Sequence, residues 1–126
     1  MSNHKLLCLV LLANLMFGVQ LVQAGTPAVR EMAGVLVNLE HYPSAAEKSR
    51  LAELAGSKAS TEQEKIVASA IANLNHSAAD ADKPKLKRVI DDATTPAEVR
   101  DLADIILKLN HKPSSTDKSK LHQMMQ

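Results

Sequence analysis

Cysteine and aromatic side chains are almost missing from this sequence: its 126 residues hold one Cys, one Phe, one Tyr and no Trp. The Cys and the Phe, Cys8 and Phe17, both fall in the first 24 residues. There Lys5 precedes an apolar run over residues 6–19, and Val22-Gln23-Ala24 places small residues at −3 and −1 of a cut before Gly25. That order of features is the pattern of a cleaved signal peptide. Asn14, Gln20 and Gln23 interrupt a stretch already short of the roughly 20 apolar residues that a spanning helix needs, which argues against a retained anchor. Cleavage at Gly25 leaves a chain of 102 residues with Tyr42 as its one aromatic and no thiol, so no disulfide can form within it. An exported domain without disulfides fits a periplasm, or secretion from such a cell, better than the eukaryotic secretory route.

Charge of one sign is also lacking. Losing Lys5 leaves 14 basic against 14 acidic side chains. This balance argues against nucleic acid as a partner, because phosphate binding depends on a concentrated excess of Lys and Arg. The densest basic run, Asp82 to Arg88, is flanked by Asp80, Asp91 and Asp92 and reads as a solvated helix face. Beyond Gly25 there is no nucleophilic Cys, Gly-rich phosphate loop, HExxH or GxSxG. Enzymatic activity is therefore not expected, and no cofactor is implied. Nothing alternates with period two, so no strands are expected.

What is present is a period. Displacing the sequence by 35 positions superimposes His41, His76 and His111, and with them Leu39, Leu74 and Leu109, then Leu51, Leu86 and Leu121. Leu36, Ile71 and Ile106 coincide as well, without an insertion. A fixed period of this size marks tandem supersecondary units. Before each His, apolar residues recur at helical spacing, as in Val29, Met32, Ala33, Leu36 and Leu39, predicting an amphipathic helix of about 15 residues. Thr26-Pro27 and Thr95-Pro96 mark two of the starts, Thr95 completing a capping box with Glu98. The third start is marked by Ser60 with Gln63 or Thr61 with Glu64.

After each His a second, shorter helix is expected. Ser44 with Glu47 and Ser114 with Asp117 have capping-box spacing, and Ser77 with Asp80, or Asp80 or Asp82 alone, serves the middle copy. The expected fold is thus all-α: three tandem 35-residue helical hairpins, at about residues 26–56, 60–91 and 95–126, giving six helices in a small bundle or short solenoid.

Each His ends a predicted first helix, where an imidazole can meet terminal carbonyls and the negative end of the dipole. Recurrence favours that structural role, since a hinge is needed in every copy. The sharper alternative is a zinc or copper site on His41, His76 and His111, which requires the three hairpins to close into a ring rather than stack openly. The C-terminal His122, Met124 and Met125 offer a softer set for Cu(I), although both Met align with core positions. The leading expectation is a small exported binding or scaffold module for a protein or peptide partner, using the groove of stacked hairpins. Metal binding through the repeated His, or an envelope-stress holdase role, is the alternative. No stable membrane insertion is expected after cleavage, and the apolar end of the last helix suggests self-association.

Overall fold

Side-chain caps fix most of the helix starts. In the computed structural model, which describes residues 25–126, six helices follow one another: α1 (Pro27–Val37), α2 (Ala45–Gly56), α3 (Glu62–Ala72), α4 (Lys83–Asp91), α5 (Ala97–Lys108) and α6 (Ser115–Met124). The signal-peptide segment lies outside the described residues. Thr26 accepts from the Val29 N–H at 3.2 Å ahead of Pro27. Ser44 with Glu47 and Thr61 with Glu64 each form both bonds of a capping box. Ser114 accepts from the Asp117 N–H at 3.1 Å. Each such oxygen satisfies a backbone donor that the first turn leaves free.

Two starts differ from expectation. The Thr95–Glu98 box does not form: α5 begins at Ala97 with Pro96 at the cap position and no side-chain cap, and the Thr95 hydroxyl is buried without a partner. The 35-residue register accounts for this, because it is Pro96, not Thr95, that stands in line with Thr26 and Thr61. Helix α4 also lacks a side-chain cap. Ala79 occupies the place of Ser44 and Ser114, and the buried Asp82 turns instead to accept from Asn73 Nδ2 at 3.1 Å.

The first helices are shorter than the expected 15 residues. They run for 11 or 12 and stop before Leu39, Leu74 and Leu109, whose N–H groups donate to the carbonyls of Leu36, Ile71 and Ile106 at 3.1 to 3.2 Å. These three Leu remain buried beyond the helix ends and anchor the loops that carry the His. After α4, the Asp92 carboxylate accepts from the backbone and hydroxyl of Thr94, which holds it below the ordinary carboxylate range.

Helices α1, α3 and α5 pack on one another at the centre. Around them α2 lies against α3, α4 against α5, and α6 against α1. The last of these contacts closes the ring. Packing is more extensive in these pairs than between α1 and α2, α3 and α4, or α5 and α6, so the closest helix pairs straddle the hairpin boundaries read from the sequence. Leu36, Ile71 and Ile106 from the inner helices and Leu51, Leu86 and Leu121 from the outer ones are all fully buried. Each such side chain contributes about 1.5–3 kcal/mol relative to exposure.

Met124 joins this core, and Met125 lies over Gly34 on α1. The apolar side of the last helix is thus largely covered by the first. Among the described residues there is no strand, only two isolated bridges at Asn75–Ser77 and Asn110–Lys112, and no helix long and apolar enough to cross a membrane.

Ring closure makes a prediction at the chain's end. Leu121→Ala is expected to cost about 2–5 kcal/mol in urea unfolding, as for any large core side chain. A cost below about 1 kcal/mol would mean that α6 is only loosely docked.

Candidate metal centre

The three inner helices run in the same direction. Their starts share one recess lined by Thr26, Glu64 and Pro96, and their ends lead into the three His loops, which meet at the opposite pole. The loops are tied together through the His residues themselves. The His76 N–H donates to the His41 carbonyl at 2.7 Å, and the His111 N–H donates to the His76 carbonyl at 2.6 Å. Buried Leu39, Leu74 and Leu109 precede this ladder, and buried Pro43, Ala78 and Pro113 follow it. Each His is therefore held between two anchors.

The side chains gather on the solvent side of the ladder. Ring centroids lie 4.9 Å apart for His41 and His76, 4.7 Å for His76 and His111, and 5.4 Å for His41 and His111. One ligand nitrogen from each ring falls within 4.8 Å of the other two, and all three residues are exposed. The His41 and His76 Nδ1 atoms are 3.2 Å apart. Two imidazoles on one tetrahedral ion, with metal–nitrogen distances near 2.0–2.1 Å, would hold their nitrogens about 3.3 Å apart. That pair already has the required separation, and only the third ring has to swing inward.

The backbone supports a role for the side chains. His76 and His111 have φ of 68° and 70°, the only positive values among the described non-glycine residues. An L-residue in the left-handed region costs roughly 1–2 kcal/mol, and Gly or Asn would fit there more cheaply. Residues held this way concentrate at sites where the side chain has a task. The structural role expected for these His is not what is observed: they lie beyond the helix ends, and among the described residues no imidazole bonds to a terminal helix carbonyl. Three helix C-termini pointing at the cluster add negative partial charge, which favours a cation.

The other sequence candidates are dispersed. Leu39, Leu74, Leu109, Leu51, Leu86 and Leu121 serve the core, Ser44 and Ser114 are caps, and Thr95 is a buried hydroxyl without a partner. Met124 is buried in the core, so the His122–Met124–Met125 set cannot form as a surface site. In the basic run, Lys83 pairs with Asp80 at 2.9 Å on the surface. Two residues not singled out from the sequence are notable. Glu64 is a buried carboxylate where the period places Val29 and Val99, and Glu98 lies against Gly25. The substitution of Val by Glu within the period was the available signal.

Comparison of the chain with protein-family models, with curated proteins and with solved structures finds no match in any of the three. The site is therefore interpreted from its own geometry.

The left-handed His positions separate structure from task. His76→Gly and His111→Gly are each expected to raise the stability of the metal-free protein, by up to about 1 kcal/mol, because Gly removes the strain. His41→Gly, whose backbone is not left-handed, is expected to lower it by about 0.5–1 kcal/mol. Denaturant midpoints for the three variants check this contrast.

Proposed function

We propose that this is an exported metal-binding protein that holds one first-row divalent ion, zinc or copper, on His41, His76 and His111. The observation that carries the reading is the convergence of three exposed imidazoles, two of them on left-handed backbone, at one pole of the helical ring. Imidazole suits both ions. Three neutral imidazoles occupy one side of the ion and leave its outward side to water or to an exchangeable ligand. An exposed site of that kind suits uptake and release, so the protein acts by binding rather than by catalysis. In this reading the 35-residue period reflects three repeats, each contributing one ligand, and the signal peptide delivers the protein to a periplasm or to the exterior, where these metals are handled.

The alternative of a peptide-binding scaffold or holdase drew on a concave face between openly stacked hairpins. With α6 packed on α1 the arrangement is a ring, and the same closure brings the three His together. Metal binding therefore takes precedence.

Adding zinc or copper at about 100 times its dissociation constant is expected to stabilise the fold by about 2.7 kcal/mol, a rise in melting temperature of about 10 °C or more. Replacing any one of the three His with Ala should remove most of that rise, and replacing His122 with Ala should leave it intact. Copper(II) should also quench the emission of Tyr42, the one Tyr in a chain without Trp, which adjoins His41. Because the ligands bind as neutral imidazoles, affinity should fall on acidification. An unchanged melting temperature at large metal excess, identical in a triple Ala variant, would contradict the reading.

A further inference from the structure

The pole opposite the His cluster holds a second site. There the starts of α1, α3 and α5 surround a recess of about 330 Å³. Two carboxylates line it, Glu64 from α3 and Glu98 from α5, and no Lys, Arg or His does so. Glu64 is 3% exposed, and its place is only partly explained by the cap it gives to α3. Its second oxygen accepts a hydrogen bond from the Thr26 hydroxyl, which ties the segment ahead of α1 to α3.

Glu98 is the less expected of the two. It is half-buried, makes no capping bond to its own helix, and has no hydrogen-bond or ion-pair partner among the described residues. Its Oε2 occupies the space that a side chain at residue 25 would need, and its Cδ would stand 3.1 Å from a Cβ built there. Gly25, with no Cβ, lets the carboxylate lie against the backbone. In the 35-residue register neither acid recurs: Val29 and Val99 match Glu64, and Ala28 and Gln63 match Glu98. A group present once in a periodic chain serves a need that arises once.

We infer that this recess is the binding site for a primary ammonium group, and that the ammonium it receives is the chain's own, on Gly25. The inference rests on the export reading. Hydrolysis of the Ala24–Gly25 peptide bond adds one water, leaving a carboxylate on Ala24 and an ammonium on Gly25. The new cation is formed beside Glu98, with Glu64 and the Thr26 hydroxyl next in line. One chain end is then pinned to α3 through Thr26 and to α5 through Gly25, which fastens α1 to both of its inner neighbours. Removal of the signal peptide thus completes the ring.

The test uses protein beginning at Gly25, which contains the whole described core, with its α-amine either free or acetylated, each in the native sequence and with Glu98→Gln. Acetylation is expected to lower the melting temperature by about 2–6 °C near pH 6.5 in the native sequence, and to have little effect in the Glu98→Gln variant. The amine gains a carboxylate partner on folding, so its folded pKa is raised. The difference between free and acetylated protein should therefore be full below the ordinary α-amine range near 8 and vanish as the pH rises through it. That pH dependence needs no variant and holds the proposal to account if Glu98→Gln fails to fold. Equal shifts in both backgrounds, or none, would overturn the docking. The intact mass of protein recovered from the export compartment tests the export reading separately: a start other than Gly25 would overturn the source of the ammonium even where the pairing itself was measured.

Discussion

The contact between α6 and α1 is the constraint on which the rest of the molecule depends. Three inner helices can be parallel only if each return helix carries the chain back to the starting pole, and α2 and α4 do so while packing on the next inner helix. For α6 the next inner helix is α1, which opens the domain. Without that contact Leu121 and Met124 would be left in water and the first and third loops would be free to separate. With it, each inner helix has an equivalent neighbour on either side. The ends of the three helices then have a common axis to meet on, and His41, His76 and His111 have a common space.

Closure also sorts the polar groups. At one pole three helix ends present carbonyls and negative partial charge, and three imidazoles stand there. At the other, three helix starts present N–H groups and positive partial charge, and Glu64 and Glu98 stand there. Neutral overall composition thus conceals a molecule with two chemically opposite ends. The local cost is visible at the His pole, where two L-residues are held in left-handed backbone that a Gly would adopt more easily. A stretch that retains such strain in two of three matching loops, while keeping the same side chain in all three, is constrained by the imidazole rather than by the turn.

Much of the architecture was legible in the sequence. Six helices, their order and four of the six side-chain caps follow from apolar spacing and from hydroxyls placed ahead of it. The Thr95 cap was misplaced because a Thr-Pro pair is a local signal. The packing of α5 obeys the 35-residue register, which puts Pro96 at the cap instead. Helix length was overestimated because Leu39, Leu74 and Leu109 continue the apolar spacing past the last helical turn, and burial alone does not distinguish a helical Leu from one that anchors a loop. Periodicity also carries no information on whether the last unit meets the first. The candidate site could therefore be named residue by residue from the sequence, while its existence depended on a contact between the two ends of the domain.

The most direct measurement of the central claim is X-ray absorption at the metal edge of protein loaded with one equivalent of zinc or copper. The account predicts one ion per chain with three imidazole nitrogens at about 2.0–2.1 Å for zinc, completed by a lighter exchangeable ligand, and a loss of imidazole scattering when His41, His76 or His111 is replaced. A first shell with fewer than three imidazoles, or one unchanged by those replacements, would contradict it.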